Sequence, residues 1–183
     1  MLNKTEQSLT VDGDNNAVAG RDINISQYNS PQENPRLSDS AVVRVLSGLY
    51  DILRTENVQY SPVDTLPYTI SDKIDHNGII KYKKNYDHYR AGHLQVSEKL
   101  RTMGEQEPII INKLDNYVKN LYVRAKEQNC SAPDDVVNYI VEKIEKALQG
   151  AHLTPEEQTA VPLIVFHVFA RCKIFDKPPS SMT

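Results

Sequence analysis

One helical stripe constrains the fold of this chain more than any other feature. Seven side chains recur at alternating intervals of three and four residues: Ile79, Tyr82, Tyr86, Tyr89, His93, Val96 and Leu100. This spacing keeps all seven on one face along about six turns of an α-helix. Tyrosines favour both half-buried seams and protein interfaces. The stripe therefore predicts a long amphipathic helix, and leaves open whether its tyrosines and its histidine pack inside the domain or form a partner surface.

The same period predicts further helices on either side of the stripe. One begins after Ser38, which suits an N-cap, and another spans residues 105–127. A third opens at SAPDD, residues 131–135, where a proline and two acids suit a first helical turn, and ends at Gly150. The residues expected to face inward on these helices are Val42, Val45, Leu46, Leu49, Ile52, Leu53, Ile110, Leu114, Tyr117, Val118, Leu121, Val137, Ile140, Val141, Ile144 and Leu148.

The last predicted helix is apolar nearly all round. Thr154, Pro155 and Glu157 form the pattern of a capping box at its start. The apolar residues behind this cap are Val161, Leu163, Ile164, Val165, Phe166, Val168, Phe169 and Ala170. Such a helix is normally central, and Pro162 is expected to kink it or to lie in an early turn. The sequence thus predicts a mainly α fold, a bundle or array of about five helices over residues 38–176, followed by a disordered tail at 177–183.

The first 29 residues follow a different pattern. In VDGDNNAVAGRDINIS, residues 11–26, a Val-x-Gly pair returns after seven residues, with Asn, Asp and Gly between the apolar positions. This recurrence predicts a short β-repeat, and strands this short need a pairing partner in water. The segment is therefore either disordered or an oligomerisation device that pairs identical copies. The residues expected at that interface are Val11, Asp14, Asn15, Val18, Ala19, Gly20, Arg21, Asp22, Ile23 and Ile25. Residues 30–37, SPQENPRL, are expected to be a linker.

The sequence contains no recognisable catalytic or metal-binding pattern. HExxH, GxSxG and GxxxxGK[ST] are absent, and His88 and His93 are five residues apart, which places them on different faces of a helix. A metal-dependent nuclease would carry an ExK motif on a strand, whereas the Glu-Lys pairs of segment 133–146 lie on a predicted helix surface. Cys172 follows His167 on an apolar helix, where a thiolate is hard to form. We therefore expect a protein that is not an enzyme and needs no cofactor or metal.

The composition favours a cytoplasmic protein and does not favour a nucleic-acid binder. A net charge of −3 provides no excess of cations to neutralise phosphates. One cluster still interleaves cations with aromatic residues in the manner of a nucleic-acid contact: Lys81, Lys83, Lys84 and Arg90. The first residues lack the apolar core of a signal peptide, and no apolar stretch is long enough to span a membrane. The two cysteines suit free thiols in a reducing cytosol.

Three stretches resemble proteins of bacterial conflict systems. GDNNAVAGRDINI, residues 13–25, is similar to a segment found near the start of, or between the domains of, many such proteins. Segments 60–89 and 160–179 resemble the C-terminal domain of ABC three-component systems, in which an Asp-Lys-Ile-x-x-Asn block and a final apolar helix ending in Cys-Lys-Ile-x-x-Lys-Pro recur. The matching residues are Asp72, Lys73, Ile74, Asn77, Cys172, Lys173, Ile174, Lys177 and Pro178.

The resemblance implies an anti-phage module that couples an effector or sensor to a small middle component and an ABC/SMC-like ATPase. Such a domain is usually fused behind an effector, and this sequence shows none ahead of it. The chain is therefore expected either to act alone as an adaptor, or to be a fragment or subunit that recruits the effector in trans. NNAVAG, residues 15–20, also resembles the stacked β-roll repeats of trimeric bacterial surface adhesins, which favours a trimer. The leading hypothesis is a non-enzymatic adaptor that oligomerises through residues 8–28. A nucleic-acid-binding module is the alternative.

Overall fold

The computed structural model describes residues 39–54, 68–107, 109–171 and 173–179. The helices in these ranges are α1 (Asp39–Leu53), α2 (Ile70–Asn77), α3 (Ile80–Lys84), α4 (Tyr86–Gln106), α5 (Ile110–Glu127), α6 (Pro133–Ala147), α7 (Pro155–Gln158) and α8 (Ala160–Ala170), with a short 3-10 turn at Gln149–Ala151. The predicted mainly α fold is confirmed for this part of the chain. The predicted β segment at 1–29, with all the residues of its expected interface, and the linker at 30–37 lie outside the described residues.

Two of the predicted helices are interrupted. The helix expected from Ile79 onward divides into α3 and α4 at Asn85, whose backbone (φ −122°, ψ 33°) leaves the helical region. The side-chain amide of Asn85 donates to the carbonyl of Lys81 at 3.2 Å, and such local bonding competes with the helical ladder. The last predicted helix divides into α7 and α8 ahead of Pro162, which lacks the N–H that a continuous helix would direct to Gln158.

α2 is a helix that apolar periodicity did not predict. The Thr69 hydroxyl accepts from the backbone N–H of Asp72 at 3.1 Å, and the Asp72 carboxylate accepts from the backbone N–H of Thr69 at 2.9 Å. These reciprocal bonds form a capping box. Gly78 ends the helix in the left-handed conformation, with φ 63°. The buried residues of α2 are Lys73 and Ile74, which are adjacent in sequence and form no apolar stripe. The two ends of α2 are therefore marked by its caps rather than by apolar spacing.

The N-terminus of α3 is capped by a residue distant in sequence. The Asp134 carboxylate, at the start of α6, accepts from the backbone N–H groups of Ile80 at 3.0 Å and Lys81 at 2.8 Å. Since α3 has no side-chain cap of its own, Asp134 supplies acceptors for N–H groups that a helix start leaves unpaired. This contact ties the second half of the domain to the first.

α8 lies at the centre of the domain, as its apolar sequence predicted. All of its residues except Pro162 are buried, and it packs against α1, α4, α5 and α6. The inward residues predicted on α1, α5 and α6 are buried or partly buried in the same core. Among the described helices, none is both long and apolar enough to cross a membrane.

Candidate functional site

The tyrosines of the stripe contribute to the core. Tyr82 is fully buried and Tyr89 is 5% exposed. The ring centroids of the two tyrosines lie 4.7 Å apart. The centroid of Phe166 in α8 lies 4.8 Å from that of Tyr82 and 5.2 Å from that of Tyr89. Burial raises the pKa of Tyr89 to about 12. The partner-surface alternative is therefore wrong for Tyr82 and Tyr89, because both side chains are used in internal packing. Tyr86 and His93 are half-buried.

The cations predicted for nucleic-acid contact have different surroundings. The Lys83 ammonium pairs with the Asp75 carboxylate at 2.8 Å, and the Lys81 ammonium donates to a side-chain carbonyl on α6 at 3.3 Å. Lys84 and Arg90 are exposed. Two of the four cations are thus engaged by neighbouring side chains, and nucleic-acid binding stays a prediction.

The two blocks that carry the family resemblance meet in the structure. Lys73 of α2 is fully buried, and its ammonium donates to the carbonyls of Phe169 at 2.7 Å and Ile174 at 2.8 Å. It also lies 4.3 Å from the centre of the Phe169 ring. The positive charge is therefore at the C-terminal end of α8, where helix carbonyls lack intrahelical donors and the helix dipole is negative.

Asn77 joins α2 to the chain that follows α8. Its side-chain amide donates to the backbone carbonyl of Asp176 at 2.9 Å, and its side-chain carbonyl accepts from the backbone N–H of Asp176 at 3.1 Å. The same amide donates to the carbonyl of Lys73 at 2.9 Å. These contacts give the described residues of the two blocks a structural role, since they hold α2 and residues 173–176 against the end of α8.

A buried polar cluster lies where α4, α5 and α8 meet. The imidazoles of His93 and His167 are stacked with centroids 4.9 Å apart, and the Asp115 carboxylate pairs with the Arg171 guanidinium at 3.1 Å. Asp115 and His167 are each 2% exposed. Burial lowers the pKa of His167 to about 3, and His93 and Arg171 act in the same direction. Burial raises the pKa of Asp115, against the opposing charge of Arg171.

Several polar atoms of this buried polar cluster have no partner among the described residues. Within the described ranges, both ring nitrogens of His167 and the Oδ1 of Asp115 have no hydrogen-bond partner. The backbone of His93 approaches the His167 ring and raises its pKa, but no hydrogen-bond geometry is reached. The described side chains include no group of three His, Cys, Asp or Glu arranged to hold a metal, and Cys172 lies outside them. The cluster is a titratable part of the core.

An open groove lies between α1, the end of α4 and the start of α5. Its cavity has a volume of about 540 Å³ and is lined by Ser47, Tyr50, Asp51, Met103, Glu107 and Ile110. The Tyr50 hydroxyl donates to the Glu107 carboxylate, and this hydrogen bond raises the pKa of Tyr50. In the described part of the chain, no Lys or Arg forms an ion pair with Asp51 or Glu107. We refer to these six lining residues as the acidic groove.

The sequence contained no signal for the acidic groove. Its residues lie on the outer side of α1, near the end of α4 and at the start of α5, and no motif links them. They come together because α1 packs against both α4 and α5. The groove is an open cavity with apolar walls, two carboxylates and a tyrosine hydroxyl bonded to one of them, a combination typical of binding pockets.

Comparison with known proteins places the domain in a family. No curated protein and no solved structure matches the chain. The model of C-terminal domain 10 of the ABC-three component (ABC-3C) systems matches residues 44–176. The match extends from the first turns of α1 to the segment after α8, and so includes α2 through α8. The chain belongs to this family of ABC-3C C-terminal domains.

Proposed function

We propose that this protein is a non-enzymatic adaptor of a bacterial anti-phage defence system, which couples an ABC/SMC-like ATPase or an effector through its helical domain. The family match over residues 44–176 carries the proposal, because ABC-3C systems are defence-related and the match covers nearly the whole helical domain. Recognition of a partner then depends on exposed groups, since the contacts of Lys73, Tyr82 and Tyr89 are internal.

Assembly of identical copies is a second part of the proposal. The β-repeat at residues 8–28 would bring several chains together, with a trimer favoured, so that one assembly presents several helical domains to the same partner. Such multivalency raises the apparent affinity for a partner without a new contact.

Co-purification tests the adaptor role. The tagged full chain is co-expressed with the ATPase and the middle component of its own system, and the complex is measured by light scattering after size exclusion. We expect a complex of defined stoichiometry, and no DNA or RNA cleavage by the chain alone with added Mg²⁺. Two results would contradict the proposal: failure of the chain to associate with either component, or cleavage by the purified chain.

A further inference from the structure

We propose that the acidic groove binds a basic side chain, Arg or Lys flanked by an apolar residue, on a protein partner of this domain. The inference rests on the adaptor role proposed above and names the surface that would perform it. Its basis is the meeting, in one open cavity, of apolar walls with two carboxylates that form no ion pair within the described residues.

The charge of the groove selects a cation. Asp51 is exposed and Glu107 is half-buried, and the hydrogen bond from Tyr50 occupies one oxygen of the Glu107 carboxylate. The other oxygen and the Asp51 carboxylate are acceptors for a guanidinium or an ammonium. The guanidinium carbon of Arg54 lies 5.9 Å from the centre of the Tyr50 ring, and Arg54 forms no ion pair with either acid in the described residues.

The apolar surroundings select an amphipathic segment over a free ion. Met103 and Ile110 form part of the wall, and Met is an adaptable contact for a variable partner. Two large exposed hydrophobic residues flank the groove: Val43, 42% exposed and one turn before Ser47 on α1, and Ile109, 43% exposed and next to Ile110. Exposed apolar groups beside uncompensated charge mark interaction surfaces.

The same features argue against the other classes of occupant. A nucleic acid or an acidic peptide would bring negative charge against Asp51 and Glu107, which is unfavourable. The described groove offers two carboxylates and no third acidic or histidine ligand for a cation such as Mg²⁺. The cavity of about 540 Å³ has the volume of a pocket that holds a small ligand, which is room enough for one Arg or Lys side chain. A basic and apolar protein segment satisfies the charge, the walls and the size together.

Met103 provides a direct probe of the groove. The chain has three methionines, at positions 1, 103 and 182, and Met103 alone lies in the described residues. Full-length protein labelled with ¹³C at the methionine methyl groups therefore gives few signals, and the loss of one in Met103→Leu identifies the groove signal. The probe is a capped hexapeptide that alternates Leu and Arg, added up to millimolar concentration, and the control is a capped hexapeptide that alternates Leu and Glu.

We expect the Met103 methyl signal to shift with the Leu/Arg peptide and not with the Leu/Glu peptide. The double variant Asp51→Asn, Glu107→Gln should bind the Leu/Arg peptide at least tenfold more weakly, because the amides keep the shape and remove the charge. The matched control is Glu98→Gln on α4, which removes a carboxylate that pairs with Arg101 outside the groove; it should bind as the wild type does. An unmoved Met103 signal, equal binding of both peptides or full binding by the double variant would overturn the inference.

The co-purification experiment separates this inference from the adaptor role. If wild type and the double variant assemble equally well with the ATPase and the middle component, the groove is not the recognition surface and the adaptor role stands. If neither assembles while Met103 still responds to the Leu/Arg peptide, the groove binds basic segments and the adaptor role fails. We expect the third result, in which wild type assembles and the double variant does not.

Discussion

Lys73 holds two distant parts of the chain together through one buried charge. Lysine is almost never fully buried unless its charge is satisfied, and here the ammonium donates to two carbonyls and lies over an aromatic ring. Both carbonyls are beyond residue 168, whereas Lys73 is in the first helix after the 55–67 gap in the described residues. The ammonium therefore fixes the end of the central helix against an element that has little apolar surface of its own.

We expect Lys73→Met to lower the free energy of unfolding by about 2–4 kcal/mol, because methionine keeps most of the stem and leaves two buried carbonyls without this donor. Urea unfolding followed by circular dichroism measures the change. Lys84→Met is the matched control, since Lys84 is exposed on the next helix and its replacement should change stability by less than about 0.5 kcal/mol. Equal unfolding midpoints for Lys73→Met and wild type would contradict the structural role.

His167 should make the stability of the domain depend on pH. Its pKa falls from 6.5 in the unfolded chain to about 3 in the folded one, so between these values the unfolded state binds the proton and the folded state does not. The contribution is complete above pH 6.5 and is lost as the pH falls toward 3, by up to about 1.4 kcal/mol per pH unit. Asp115 acts in the opposite sense: its raised pKa gives stability at low pH that is lost as the pH rises through that raised value.

His167→Phe isolates this contribution, because it keeps a ring against His93 and leaves Asp115 in place. We expect the loss of unfolding free energy between pH 6.5 and 4 to be smaller in the variant than in wild type by up to about 1.4 kcal/mol per pH unit. Urea titrations at half-unit pH intervals measure both slopes. Parallel pH profiles for the two proteins would show that His167 takes up a proton in the folded state.

At the level of helices and turns, the sequence predicted the helices that have an apolar stripe, but not the features that depend on a single side-chain bond or on tertiary packing. Apolar spacing located the five predicted helices, and the capping box at Thr154 is present as expected. The pattern missed α2, whose signal was a Thr-x-x-Asp cap and a terminal Gly rather than a stripe. The break at Asn85 and the cap that Asp134 gives to α3 were not predicted either, because the first depends on a single side-chain bond and the second on tertiary packing.

Close packing of α4 on α8 depends on glycine at position 92. A Cβ on Gly92 would lie 2.6 Å from the buried side chain of Leu163, whereas a Cβ on Gly104 of the same helix would lie 3.5 Å from Ile111. Both changes to alanine gain about 1 kcal/mol of helix propensity, but only the first overfills the core, which typically costs about 1–3 kcal/mol.

We therefore expect Gly92→Ala to lower the free energy of unfolding by up to about 2 kcal/mol and Gly104→Ala to leave it unchanged or raise it by up to about 1 kcal/mol. Thermal and urea unfolding of the two variants provide the comparison, and the shared propensity gain cancels between them. If the two variants have the same stability, the contact between α4 and α8 has room for a methyl group.

At the scale of the whole molecule, the residues that reveal the family and those proposed to bind a partner occupy different places. The described residues of the family blocks lie at the end of α8 and contact one another, so their sequence pattern reports the architecture. The acidic groove depends on how α1, α4 and α5 pack, and no local pattern contains that information. The sequence could therefore predict the fold class and the family, whereas the candidate site required the positions of three helices.

The helical domain and the opening segment have opposite requirements for assembly. The described helices bury most of their apolar residues around α8 within one chain, so a truncated chain starting at Ser38 should fold alone and be monomeric. The sequence of residues 8–28 predicts a β-repeat, and strands as short as those predicted need partners to be stable, so we expect the full chain to assemble. We expect light scattering to give three times the mass of one chain for the full protein and the mass of one chain for the truncated form.

Val18→Asp, which places a charge on the predicted repeat, should reduce the full chain to a monomer, and Thr5→Asp outside the predicted repeat should not. A monomeric full chain would assign the segment to another role, and an oligomeric truncated form would place the interface on the helical domain.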